Sequence, residues 1–186
     1  MSKPKEVVVA KVRATTILAL RRNGKSAMVG DGQVTAGDVV MKHHARKIRR
    51  LHNDTIIAGF AGSVADGLTL IERFEARLEQ SGGRVRRAAV ELAKEWRGDR
   101  FLRQLEAELL VVSSDEILVI HGNGDVIEPD DNVAAIGSGG VYARAAATAL
   151  LRHTEMEARD IAEAAMRIAS DMCIYTNTDM VLETIE

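Results

Sequence analysis

The run from Ala14 to Gly32 constrains this chain more than any other stretch. Two segments that favour β-structure, Thr16–Arg21 and Lys25–Val29, flank the pair Asn23-Gly24. Asn-Gly tolerates the two left-handed positions of a two-residue turn, so it predicts a tight β-hairpin. Antiparallel pairing then brings Thr15, at the start of one strand, to the same end of the sheet as Asp31, at the end of its partner. A chain cut before Thr15 would expose a free amine beside a hydroxyl at that end, making an N-terminal threonine nucleophile.

The 186 residues suit one domain with a sizeable core. Aromatic residues make up only 3%, so the core must be built mainly from Ala, Val, Ile and Leu. A net charge of −2 gives no basic footprint for nucleic acid. The single cysteine, Cys173, excludes an intrachain disulfide and suits a reducing cytoplasm. No apolar run approaches the roughly 20 residues of a membrane span. Residues 1–14 differ from the rest, with Lys3, Lys5, Lys11 and Arg13 set against Glu6 alone. Their apolar run Val7–Ala10 is too short for a secretory signal. We read residues 1–14 as a pro-segment removed on maturation and 15–186 as a single domain, the plainer reading being a disordered basic tail.

Further along, short strands are expected at Val34-Thr35, Val39–Met41, Arg46–Leu51 and Ile56–Ala61. Ser63 reads as an N-cap, followed by a helix with Leu68, Ile71, Phe74 and Leu78 at helical spacing. Gly82-Gly83 ends it, and a second helix presents Val85, Ala89, Leu92 and Trp96 on one face. A short turn near Phe101–Glu106 follows, then strands at Leu109–Val112, Ile117–His121, Val126-Ile127 and Val133–Gly137. Helices are expected over Val141–His153 and Ala158–Tyr175, the latter with Ile161, Ala165, Ile168, Ala169 and Met172 inward, and a last strand over Met180–Ile185. Strands, two helices, strands, two helices is an α+β order. Two face-to-face antiparallel sheets with a helix pair on each outer side would bury every apolar face.

Several stock sites are excluded. Gly24-Lys25-Ser26 resembles the end of a P-loop, but the first glycine would fall at Ala19 and the segment joins two strands. Gly137-Ser138-Gly139 lacks the preceding glycine of a serine elbow, where Ile136 stands. The five histidines show no zinc-like spacing. Cys173 on a helix reads as core packing.

Five motifs carry a resemblance: Thr15-Thr16-Ile17-Leu18, Gly30-Asp31-Gly32-Gln33-Val34-Thr35, Ala58-Gly59-Phe60-Ala61-Gly62, Ile136-Gly137-Ser138-Gly139-Gly140 and Cys173-Ile174-Tyr175-Thr176-Asn177. Together, from Thr15 almost to the end, the chain resembles the HslV family, the proteasome-like threonine peptidases of the bacterial HslUV protease. The resemblance implies the four-layer αββα sandwich of N-terminal nucleophile hydrolases. It also implies a cytoplasmic double ring of hexamers, with active sites facing an inner chamber. An AAA+ ATPase, HslU, would unfold substrates and feed them in, so this chain itself would bind no ATP.

A threonine hydroxyl is a weak nucleophile and needs a base. At a chain start, the α-amine, with an ordinary pKa of roughly 7.7–8.0, can serve near neutral pH. While Ala14 remains attached that nitrogen is an amide, so scission is a chemical requirement. By resemblance, Lys47 is the cation beside the nucleophile, Asp31 orients Lys47, Gly59 offers its N–H to the oxyanion, and Ser138 relays protons near the amine. Strand alternation alone puts Lys47 and Arg49 on one face and Arg46, Ile48 and Arg50 on the other, without singling out Lys47. The plain alternatives are a strand threonine at Thr15, a turn residue at Asp31, a crowded strand glycine at Gly59 and a helix N-cap at Ser138.

The resemblance further implies a monovalent cation, Na+, held by backbone carbonyls at Ser170, Cys173 and Thr176. The plain alternative there is a simple helix end. Two departures stand out: a leader of 14 residues is long for this family, and Ser170 occupies a position where glycine is expected. Two other functions fit the same sequence, a free-standing amidohydrolase of the same fold and an unprocessed ring subunit with only a structural role.

Overall fold

In this computed structural model the described residues are 12–14, as backbone, and 16–186. Thr15 and most of the expected pro-segment, residues 1–11, lie outside them. The backbone of Val12–Ala14 forms strand β1. The expected hairpin follows as β2 (Thr16–Arg22) and β3 (Lys25–Asp31). Asn23 and Gly24 take φ of 52° and 78°, both left-handed, as the tight turn requires. Register runs from Arg22↔Lys25 to Ile17↔Gly30, which leaves Thr16 beside Asp31.

Next come β4 (Val34–Ala36), β5 (Val39–Lys42), β6 (Ile48–Leu51) and β7 (Ile56–Gly62). Helices α1 (Val64–Gln80) and α2 (Val85–Gly98) follow, then a 3₁₀ turn at Leu102–Gln104. Strands β8 (Ala107–Val112), β9 (Ile117–His121), β10 (Val126–Ile127) and β11 (Val133–Gly137) lead to helices α3 (Gly140–His153) and α4 (Ala158–Met172). Strand β12 (Met180–Ile185) closes the described chain.

The smaller sheet has the order β11-β2-β3-β12. The larger runs β10-β9-β8-β7-β1-β4-β5, with β6 also paired to β7. Alternation along β2 shows how the layers stack: Ile17 and Ala19 face the other sheet, whereas Leu18 and Leu20 face α3 and α4. Three apolar clusters therefore fill three interfaces, giving the four-layer αββα sandwich. Phe60, Phe74 and Trp96 fill the layer beneath α1 and α2. Beneath α3 and α4 the filling is mostly alanine, including Ala143, Ala147, Ala162, Ala165 and Ala169, so these helices lie close to the sheet.

Ser63 caps α1, accepting from the Asp66 N–H at 3.4 Å. Helix α4 is shorter than its sequence pattern predicts, stopping at Met172 instead of Tyr175. Two residues expected inward on it are not, since Ile168 is 43% and Met172 62% exposed. The inward stripe is Ile161, Ala162, Ala165, Met166 and Ala169, so an apolar residue in the right period still lies outside a face set by close alanine packing. Among the described residues, no helix is long and apolar enough to cross a membrane.

Candidate active site

Asp31 ends β3 with no exposed surface, and a buried carboxylate needs partners. Its Oδ1 accepts from Lys47 Nζ at 2.7 Å and from the Thr16 backbone N–H at 2.9 Å. Its Oδ2 accepts from the backbone N–H groups of Gln33, at 3.0 Å, and Asn177, at 3.4 Å. The carboxylate thus gathers donors from the start of β2, from the segment before β6 and from the loop between α4 and β12. Burial lowers the pKa of Lys47 from its ordinary value, and the adjacent Asp31 opposes that shift.

Lys47 reaches this position because it precedes the regular strand. The alternation expected over Arg46–Leu51 does not hold, as β6 begins only at Ile48. Lys47 and Ile48 are both buried and Arg49 is exposed, which corrects the pairing of Lys47 with Arg49 on one face. A non-strand residue is free of the two-residue period, so one basic side chain of the run turns inward.

A second set of bonds surrounds Thr16, which is fully buried. Its Oγ1 lies 2.7 Å from Thr176 Oγ1 and accepts from the Gly139 N–H at 3.0 Å. The Asn177 side chain accepts from the Gly32 N–H at 3.1 Å and donates to the His43 carbonyl at 2.9 Å. Sequence reasoning read Thr16 only as a strand residue and gave Asn177 and Gly139 no role. The signal was their presence inside three of the five quoted motifs. Thr15 is the residue between Ala14 and Thr16, outside the described residues, so the cluster is defined by what surrounds its neighbours.

Gly59 stands in the middle of β7, opposite Ile48 on one side and Leu110 on the other. A Cβ there would meet Ile48, Ile17 and Met28 at 2.9–3.0 Å, so the crowding between the sheets explains the glycine. Its amide does not face the site. The Phe60 N–H bonds to Lys47 O on the β6 side, and the Ser63 N–H bonds to Glu106 O on the β8 side. Alternation therefore turns the Gly59 N–H toward Leu110 on β8, inside the sheet, which corrects the expectation of an oxyanion donor there.

Ser138 is exposed and does not cap α3, whose N-cap is Gly139 without a side-chain bond. It lines a cleft of about 480 Å³ together with Gly62, Ser63, Glu106, Glu108 and Gly137.

Ser170, Cys173 and Thr176, the residues expected to hold a cation, lie around the end of α4. Cys173 is its buried C-cap, and the Thr176 N–H bonds to the Cys173 carbonyl at 3.0 Å. Helix-end carbonyls of this kind are oxygen donors of partial negative charge, which fits a hard monovalent cation. Ser170 is not among the residues with positive φ, so serine in place of glycine brings no backbone strain. The Thr176 side chain is directed to Thr16, leaving its backbone for a cation. Among the described residues no three His, Cys, Asp or Glu side chains cluster as metal ligands.

Comparison with known proteins bears on the fold and the family. A solved HslV from Trypanosoma brucei superimposes with a TM-score of 0.88 at 47% identity, covering 92% of this chain and 99% of that one. A Thiobacillus denitrificans protein, BPH, shares the fold at a TM-score of 0.71 with only 17% identity. The ATP-dependent protease subunit HslV of Aquifex aeolicus is 60% identical over 94% of this chain and 99% of its own length. That of Pseudothermotoga lettingae is 58% identical over 93% and 98%. Since the family model for proteasome subunits also matches residues 12–185, the chain belongs to the proteasome family, in its HslV branch.

Proposed function

We propose that this chain is the proteolytic subunit of an ATP-dependent protease, a threonine-type endopeptidase whose nucleophile is Thr15 once residues 1–14 have been removed. The observation that carries this reading is the buried Lys47–Asp31 pair at 2.7 Å, with the Thr16 N–H on the same carboxylate oxygen. A lysine kept in an almost waterless site by one carboxylate, one peptide unit from Thr15, supplies positive charge where an alkoxide must form.

The chemistry follows from those positions. The free α-amine of Thr15 accepts the proton of its own hydroxyl as the oxygen adds to a substrate carbonyl carbon. The carbonyl π pair moves to oxygen, and a backbone N–H holds the resulting oxyanion. Collapse breaks the C–N bond, the ammonium returns its proton to the leaving amine, and an ester remains on Thr15. Water hydrolyses that ester and regenerates the hydroxyl. Lys47 lowers the pKa of the amine and stabilises the ionised hydroxyl, Asp31 fixes Lys47, and Ser138 at the cleft edge relays protons.

A monovalent cation, Na+ by resemblance, would be held by the carbonyls of Ser170, Cys173 and Thr176. When bound it would supply positive charge that fixes the end of α4, whose next residues hold Thr16 and Asp31. Self-association as a double ring of hexamers, an HslU-type AAA+ partner and a cytoplasmic location complete the proposal; the relatives' name, ATP-dependent protease subunit, supports the ATPase partner, and the ring and the location rest on the family resemblance. The test is intact-mass analysis of the purified particle together with peptide hydrolysis, with and without ATP and the ATPase. A chain beginning at Thr15 and a rate raised by the ATPase are expected. Hydrolysis by particles carrying an intact leader would overturn the assignment of the nucleophile.

A further inference from the structure

We infer that Glu108 is a positioning residue for the peptidase: its carboxylate, steadied by His121, fixes the Gly137-Ser138-Gly139 turn and so the place of the Ser138 hydroxyl, an assignment that rests on the proposed proton relay at Ser138.

Alternation puts this carboxylate where an apolar side chain is expected. Leu110 and Val112 of β8, with Ile117 and Val119 of β9, lie in the apolar cluster between the two sheets. Two residues back along β8 stands Glu108, and two residues on along β9 stands His121, so both face the smaller sheet. The register sets them directly opposite each other, with Ala61 of the same cluster opposite Glu108 on β7. Glu108 Oε1 lies 2.9 Å from His121 Nδ1, the two side chains being 37% and 31% exposed. A pair this open adds little stability. What distinguishes it is the third group on the carboxylate. Oε2 accepts from the Gly137 backbone N–H at 3.4 Å, across the gap between the sheets.

That N–H is free to leave its own sheet for a reason of register. Strand β11 is an edge of the smaller sheet, with β2 on one side only. The Arg21 N–H bonds to the Asn132 carbonyl at 2.9 Å, so the bonds between β2 and β11 fall on Arg21 and every second residue from it. Gly137 stands opposite Thr16, out of that phase, and turns its N–H to the open edge. Glu108 supplies there the acceptor that no further strand provides. The far side of the turn is held by the Gly139 N–H, which donates to Thr16 Oγ1 at 3.0 Å. Gly137 has φ of +85°, and a serine between two glycines has no rigid neighbour to set its direction. The bonds to Glu108 and to Thr16 therefore decide where the Ser138 hydroxyl stands in the cleft that it lines with Glu108.

The test is peptide hydrolysis by the purified mature particle, with kcat and KM measured for Glu108→Leu, Glu108→Gln, Ser138→Ala and the Glu108→Leu/Ser138→Ala double variant. Leucine suits the face shared with Leu110 and Val112, so Glu108→Leu should fold and assemble while losing the acceptor. Its kcat is expected to fall by roughly 10-fold at unchanged KM. Glu108→Gln keeps a side-chain carbonyl for the Gly137 N–H and should restore most of that loss. In the Ser138→Ala background, Glu108→Leu should cause no further loss, because both changes act through one hydroxyl. An unchanged kcat in Glu108→Leu, equal losses in Glu108→Leu and Glu108→Gln, or additive losses in the double variant would each overturn the inference, while a slow Ser138→Ala keeps the relay. An unchanged kcat in Ser138→Ala overturns the relay and the inference with it. If Glu108→Leu does not assemble, His121→Ala, which removes the support of the carboxylate, takes its place in the same cycle.

Discussion

Two ion pairs, three residues apart along one segment, join the two sheets with the same 2.7 Å separation. Lys47 meets Asp31 of β3, with side chains 1% and 0% exposed. Arg50 of β6 meets Glu183 of β12, with side chains 32% and 34% exposed. At the open pair water screens both charges, and Arg50 has the carbonyls of Thr184 and Asp54 as further acceptors. At the closed pair each charge has lost its hydration, and three backbone N–H groups complete the carboxylate. Equal distance therefore says little about importance. A buried pair is a weak source of stability, so its retention here points to the chemistry one residue away from Thr16.

The comparison can be broken by experiment. Thr15→Ala is expected to abolish both leader removal and peptide hydrolysis, read by intact mass and a peptide assay. Normal turnover would remove the reason for a buried cation at this place. Lys47→Ala should keep the fold, because three backbone donors remain on Asp31, while kcat falls by roughly 10²–10³. Glu183→Gln, at the open pair, should leave kcat unchanged. Similar losses in both variants would show that the pairs are merely structural.

Stability should separate the partners of the closed pair. Asp31→Asn removes the carboxylate facing a buried ammonium and is expected to cost about 3–5 kcal/mol in denaturant unfolding. The pH dependence has a definite sign. Because burial lowers the pKa of Lys47, the unfolded chain holds a proton that the native chain has shed between the folded and ordinary values. Stability contributed by this group thus rises with pH across that window, and the penalty is full below it. Activity runs the other way, falling as Lys47 loses its charge, so the alkaline limb of kcat should lie below the ordinary lysine range. A kcat that stays flat through that range would sink the electrostatic role. The smallest effect is expected at the open pair, where Glu183→Gln should change stability by only about 0–1 kcal/mol.

Much of this was legible from local chemistry. Asn23-Gly24 specifies its turn through the φ angles those residues tolerate, and antiparallel pairing of the flanking runs from that turn sets their register. Those two facts bring the start of β2 to Asp31. The Ser63 cap and the Gly82-Gly83 stop bound α1 for equally local reasons. The candidate set of Thr15, Asp31, Lys47, Gly59 and Ser138 came from motif resemblance, and the structure gathers Asp31 and Lys47 at one buried point while Ser138 lies on the cleft wall and the Gly59 amide turns into the sheet.

Other features depended on partners distant in sequence. A basic run does not announce which residue turns inward, because that depends on where β6 begins pairing with β7. The direction of the Gly59 amide is a property of ladder register, fixed only when β6 and β8 take their places. The exposure of Ile168 and Met172 follows from how closely an alanine-lined helix settles on its sheet. Thr16, Thr176 and Gly139 meet across gaps of more than 120 residues and 160 residues, where no local pattern can register the contact. The amino-acid sequence determined the β2–β3 turn and the cap and stop of α1, since these are set by energies within a few residues. Tertiary packing decided which polar groups meet at the site, since an inward charge or a turned amide is tolerated only where the rest of the fold supplies its partner.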